Sequence, residues 1–205
     1  MKKLFVNTPK DVVAKLPRAE YQGRIVVVQS VEECRRAVRA LSQSSILGFD
    51  SETRPNFKKG RMHKVALIQI CDDTTCFLFR VNQFGLPIEL VDLLSRTDIL
   101  KVGLSLKDDF QQLRSRQAFT PGGFIDLQQT AKDMGLQDMS LQKLYANFCG
   151  ERISKSAQLT NWEADVLTPA QKSYAAFDAY ACLRLYHEMG RLQQTGQFSL
   201  VESAI

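Results

Sequence analysis

Three short segments of this 205-residue chain place carboxylates where they can do chemistry. In SSILGFDSE (Ser44–Glu52), Asp50 and Glu52 lie two apart on an expected strand, so both side chains leave the same face. Two carboxylates on one face repel unless a cation or a proton lies between them. In VGLSLKDDFQQL, Asp109 follows a strand and loop at the start of a helix. There Asp108 and Asp109 also suit the positive end of the helix dipole. In QKSYAAFDAYACLRLY, Tyr174 and Asp178 are i and i+4, one above the other on a helical face. Taken singly, each segment also fits a plainer role: solvated acids at a strand end, a helix-start charge, a structural Tyr–Asp hydrogen bond. Together they offer four hard oxygen donors and a phenol, a set suited to Mg²⁺ or Mn²⁺.

The elements that must carry these residues follow from pattern. Arg24–Val28 reads as a strand. Ser30 and Glu33 fit a capping box before a helix with apolar residues at helical spacing. Lys64–Cys71 and Cys76–Val81 flank the turn Asp72–Thr75 and predict a hairpin. From Ile88 onward helix and strand alternate. Helices are expected at 88–95, 107–116, 128–134 and 140–148, with strands at Ile99–Ser105 and Gly122–Leu127. Glu151–Glu163 reads as a polar connector, and Thr168-Pro169 opens a helix that runs to about Met189. A hairpin region followed by strand–helix alternation predicts an α/β fold, a mixed sheet with helices on its faces. Residues 1–23 are expected as an irregular arm, 24–192 as one domain, and 193–205 as a polar, frayed tail.

The three acidic segments, in this order, resemble the three motifs of the DEDDy branch of the DnaQ-like 3′→5′ exonucleases. The likeness extends between them. KVALIQIC…CFLFRV and LTNWEADVLTPAQKSYAAFDAYA are similar to the exonuclease domain of the Werner syndrome helicase and to ribonuclease D. It covers roughly residues 24–190 and implies a ribonuclease H-like mixed sheet, antiparallel hairpin strands plus parallel strands, flanked by helices. It also implies two divalent cations, Mg²⁺ or Mn²⁺, held by Asp50, Glu52, Asp109 and Asp178. Two such ions about 3.5–4 Å apart serve in-line phosphoryl displacement. Tyr174 is then expected to orient the attacking water, and the product to be a nucleoside 5′-monophosphate. Asp109 aligns with the family acid, four residues before Leu113 and seven after Val102; Asp108 is expected to be solvated. The helical domain that follows the nuclease in ribonuclease D is not in this sequence. Substrate positioning is therefore expected from this domain, its arm or a protein partner.

Substrate contacts are expected from Arg54, Lys58, Lys59, Arg61 and His63, basic-capable residues beside the catalytic strand. Lys155 is a further phosphate candidate. Phe57 and Trp162 are candidates for base stacking, with a structural anchor as the other reading of Trp162.

Composition bounds the alternatives. The chain is 44% apolar and 24% charged, with 27 Lys+Arg against 22 Asp+Glu and a net charge of +5. That is a globular composition with a mildly basic balance. The five cysteines (Cys34, Cys71, Cys76, Cys149, Cys182) are odd in number and mostly within apolar runs, so reduced, buried thiols are expected. There is no leader-like apolar core and no stretch of ~20 apolar residues. The expected setting is intracellular, the cytoplasm in a bacterium, with the nucleus left open. No phosphate-loop or dinucleotide glycine motif is present, nor a serine-hydrolase elbow. The competing reading from a different class is a nuclease-derived module that binds nucleic acid with little catalysis. The choice of DNA or RNA and the oligomeric state stay open.

Overall fold

The computed structural model describes residues 1–56 and 63–202. Its central element is β4 (Val65–Cys71), a VALIQIC run buried at every position, as a strand covered on both faces must be. β3 (Ile46–Thr53) pairs antiparallel with β4, and β5 (Thr75–Phe79) closes the expected hairpin on the other side. β2 (Arg24–Val28) joins β5 in parallel. β6 (Leu100–Gly103) and β7 (Phe124–Asp126) extend the sheet in parallel beyond β3, giving the order β2-β5-β4-β3-β6-β7. Mixed pairing and flanking helices give the expected ribonuclease H-like architecture. No helix among the described residues is long and apolar enough to cross a membrane.

One face packs α2 (Val31–Leu41) and α4 (Ile88–Ser95) against Phe49, Ile68, Ile70, Phe77 and Phe79. The other lies under α8 (Pro169–Thr195), which opens with a Thr168–Gln171 capping box and Pro169 in its first turn. Its alanines allow a close approach to the sheet. A Cβ added at Gly48 on β3 would stand 2.1 Å from the Ala179 carbonyl oxygen, so only glycine fits there. This contact sets the height of α8 over the strand that carries Asp50.

Several expectations change. The cap of α2 is offset: Ser30 accepts from the Glu33 amide, while the Glu33 carboxylate accepts from the Gln29 amide, one residue further back. β5 ends at Phe79, because Val81 starts the short helix α3 (Val81–Phe84). The arm and tail are not irregular. β1 (Lys2–Phe5) pairs in parallel with β8 (Phe198–Val201), and α1 (Lys10–Lys15) follows β1. Asn147 on α7 (Leu141–Cys149) holds β1 by accepting from the Phe5 amide and donating to the Phe5 carbonyl. Leu4 is fully buried beneath it. Four-residue strands with a single fully buried residue between them, Leu4, leave too short a pattern to read. The connector at 151–163 is polar in sequence yet buries Ile153, Ala157 and Trp162. All five cysteines are free; Cys149 is half-buried and the others buried.

Candidate functional site

β3 carries the site because its rim end is polar on both faces. The even residues Gly48, Asp50 and Glu52 face α8, and the odd residues Ser51 and Thr53 face α5 (Leu106–Arg114). The Ser51 hydroxyl donates to the Asp109 carboxylate, and Thr53 Oγ1 hydrogen-bonds Gln112 Oε1 at 2.8 Å. The FDSET segment thus supplies two acids to one side and docks the helix bearing the third acid on the other. Ser51 is a positioning residue that a search for carboxylates overlooks.

α5 is also fixed from below. Ser105, just before it, has the left-handed φ of 62°, an uncommon conformation for a residue with a Cβ. The Asp126 carboxylate accepts from the Ser105 and Leu106 amides, both at 3.0 Å, and from Gln128 N at 2.9 Å. One side chain therefore caps α5 and also α6 (Leu127–Asp133). Asp before a helix signals the local cap; the cap on α5 spans 20 residues and has no sequence signal.

Carboxylate oxygens of Asp50, Glu52 and Asp178 all lie within 4.8 Å of one another. Asp109 stands outside that trio, yet its charge raises the pKa of both Asp50 and Glu52. Burial, then Asp178 and Asp109, pushes Asp50 well above the usual carboxylate range. Glu52 is pushed up to about 10 by burial and then by Asp50, Asp178 and Asp109. Burial raises Asp178 to about 7 against the Tyr174 hydroxyl, which lowers it. Asp109 rises to about 6 through burial, moderated by the Ser51 hydroxyl. Asp108, its neighbour, is exposed. Three carboxyls this close, one buried and two half-buried, hold protons or a cation, and their hard oxygens fit a divalent ion such as Mg²⁺ or Mn²⁺. Cys182 lies near enough for these acids to raise its thiol pKa further above its burial-raised value, so it is a neutral bystander.

Tyr174 is almost buried, and its pKa is raised by burial and then by Asp178. A phenol held protonated in this way donates a hydrogen bond and does not act as a base. Trp162 packs beneath it, with ring centroids 6.1 Å apart and planes tilted by 35°. Trp162 is fully buried, so it has no face for a base; the stacking expectation gives way to the structural one. The connector that holds it is pinned by Gln171, which donates to Thr160 Oγ1 and the Asn161 carbonyl, and by buried Arg80, which donates to the carbonyls of Ala164 and Asp165.

The expected basic cluster is only partly brought together. Phe57, Lys58, Lys59 and Arg61 lie outside the described residues. Arg54 and His63 both turn to Glu163, at 3.2 Å and 3.0 Å. Arg54 stays exposed on its outer side, whereas His63 is largely covered. Lys155 is exposed on the connector. A cavity of about 290 Å³ opens beside Tyr174, lined by Arg18, Tyr21, Ser154, Ser156, Ser173 and Phe177 among others.

A family model described as 3′-5′ exonuclease matches residues 25–193. The mouse bifunctional 3′-5′ exonuclease/ATP-dependent helicase WRN is 31% identical over 199 residues, covering 92% of this chain and 14% of that protein. A 3′-5′ exonuclease of Arabidopsis thaliana is 30% identical over 196 residues, covering 83% of this chain and 65% of that protein. The chain thus spans less than two thirds of either curated relative. Among solved structures, the Nibbler EXO domain of Aedes aegypti superposes with a TM-score of 0.79 at 22% identity, covering 88% of this chain and 95% of that one. At that identity the likeness is one of fold.

Proposed function

This chain belongs to the 3′-5′ exonuclease family, and on that premise we propose that it hydrolyses nucleic acids from their 3′ ends with the help of divalent cations. The observation that carries the reading is the trio Asp50, Glu52 and Asp178, half-buried, half-buried and buried, with carboxylate oxygens within 4.8 Å of one another. Residues 24–192 form the catalytic unit in this reading. Asp50, Glu52, Asp178 and Asp109 would hold the cations, Asp50 serving both, Glu52 and Asp178 serving activation of the attacking water and Asp109 stabilisation of the leaving group. When bound, two such ions, Mg²⁺ or Mn²⁺, supply positive charge to the attacking oxygen and to the departing 3′-oxygen.

The chain's own groups orient the reaction. The protonated Tyr174 hydroxyl directs the attacking water, and Trp162 fixes its ring. Arg54 and Lys155 offer cationic contacts to the phosphate backbone. The cavity beside Tyr174 is the space for the terminal nucleoside, between Tyr21 and Phe177. A nucleoside 5′-monophosphate leaves after each cycle.

The test is digestion of a 3′-extended oligonucleotide, as DNA and as RNA, with Mg²⁺ or Mn²⁺ and with EDTA. Stepwise shortening from the 3′ end that EDTA abolishes supports the proposal. Tight binding without shortening in any of these conditions refutes it in favour of a binding module.

A further inference from the structure

Gln69 occupies a place where an amide has no structural partner. It sits mid-strand in β4, whose seven positions are all buried, and is itself fully covered. Its neighbours across the ladder are Asp50 on β3 and Leu78 on β5. Alternation puts it on the sheet face of Leu67 and Cys71, which packs with Leu78 against Ala175, Ala176 and Ala179 of α8. In this apolar layer neither Gln69 Nε2 nor Oε1 has a hydrogen-bond partner. Leaving such a group unsatisfied costs about 1–3 kcal/mol, which a leucine or methionine would not incur.

Among the described residues, one other buried side-chain atom lacks a partner: Asp178 Oδ1, on α8. The carboxylate of Asp178 is close to that of Asp50, and Asp50 is in register with Gln69. A donor without an acceptor and an acceptor without a donor therefore lie on two packed elements, both next to Asp50.

We propose that Gln69 is a positioning residue: its carboxamide N–H, unpartnered in this structure, turns to donate to Asp178 Oδ1 when the acidic site holds a cation, and so leaves the other oxygen of that carboxylate for the acidic trio. The inference rests on reading that trio as a divalent-cation site. A neutral amide suits the task, because a Lys or Arg in its place would neutralise the charge that attracts the cation. Partners of this kind orient ligand carboxylates, and losing one costs roughly 10–100-fold in metal affinity.

The experiment is Mn²⁺ titration by calorimetry of the wild type and Gln69→Met, with thermal melting of both in EDTA. Gln69→Met should melt no lower than the wild type in EDTA and bind Mn²⁺ roughly 10-fold or more weakly. Affinity within twofold of the wild type overturns the inference. As a measurement that needs no folded variant, the Gln69 side-chain amide resonances should shift when the wild type is saturated with Mg²⁺; unmoved resonances overturn it too. A wild type that binds no Mn²⁺ overturns both this inference and the cation-site reading. A wild type that binds Mn²⁺ alongside an unaffected Gln69→Met overturns this inference alone.

Discussion

Replacing Asp178 by Asn should stabilise the metal-free protein while abolishing hydrolysis. Burial lifts the Asp178 carboxyl from the ordinary 3.8 to about 7. A carboxyl raised on folding favours the folded state fully below its unfolded pKa, and that advantage is lost as pH rises through the folded one. The window here therefore runs from about pH 4 to about pH 7. At 1.36 kcal/mol per tenfold change in proton affinity, ionising this group costs the metal-free protein about 4 kcal/mol by pH 7–8. Asparagine imitates the protonated acid and avoids that cost, and it relieves Asp50 and Glu52 of a neighbouring charge. For a chain of this size ~2–4 °C accompany each kcal/mol, so Asp178→Asn should melt about 8–16 °C higher near pH 7.5 in EDTA. The gap should close toward pH 4, where the wild-type carboxyl is protonated. Mn²⁺ should raise the wild-type melting temperature by mass action and leave the variant nearly unmoved. Melting followed by circular dichroism from pH 4 to 8, with EDTA or Mn²⁺, checks each part. An Asp178→Asn protein that melts at or below the wild type at pH 7.5 in EDTA, with a gap independent of pH, would refute the claim that the cluster is electrostatically strained.

Two further outcomes follow from the neighbours of that carboxyl. Tyr174→Phe should lower kcat on the order of 10²-fold with little change in KM. Because the wild-type phenol is held protonated, its kcat profile should show no tyrosine limb below about pH 10, and stopped-time oligonucleotide assays across pH check both points. Trp162→Ala removes a fully buried ring and should cost about 3–5 kcal/mol, read as a lower urea midpoint. An unchanged midpoint would show that the connector is not anchored as described.

The acidic residues were legible through the likeness of their three segments to the family's motifs, to which strand and helix periodicities added shared faces for Asp50 with Glu52 and Tyr174 with Asp178. Spacing of two on β3 and of four on α8 dictates which side chains share a face, whatever the rest of the fold does. The hairpin and most helices were legible because their apolar patterns run over five residues or more. What escaped depends on partners distant in sequence. β1 and β8 lie at opposite ends of the chain, and each is a strand only because the other is beside it. The covering of Trp162 arises from Gln171 and Arg80 pinning a segment whose own composition reads as a loop. Likewise the cap that Asp126 places on α5 and the hydrogen bond from Ser51 to Asp109 cross between elements, which no local pattern records.

The way the acids are held explains why they stay short of charge compensation. Among the described residues, no Lys or Arg contributes to the shifts of Asp50, Glu52 or Asp178; the groups that touch or cap the cluster are Ser51, Tyr174 and backbone amides, all neutral. A cationic side chain inside would have lowered every one of these pKa values and removed the need for an ion. The chain has the cations to spare: setting aside Asp50, Glu52, Asp109 and Asp178 leaves 18 acids against 27 bases, a net +9. Lys155 is exposed, and Arg54, though paired with Glu163, keeps an exposed outer side. The negative pocket and the positive surroundings thus do opposite work. The pocket leaves a deficit that protons or a small, hard cation can fill, and the basic surroundings offset the repulsion that the pocket alone would exert on a polyanion.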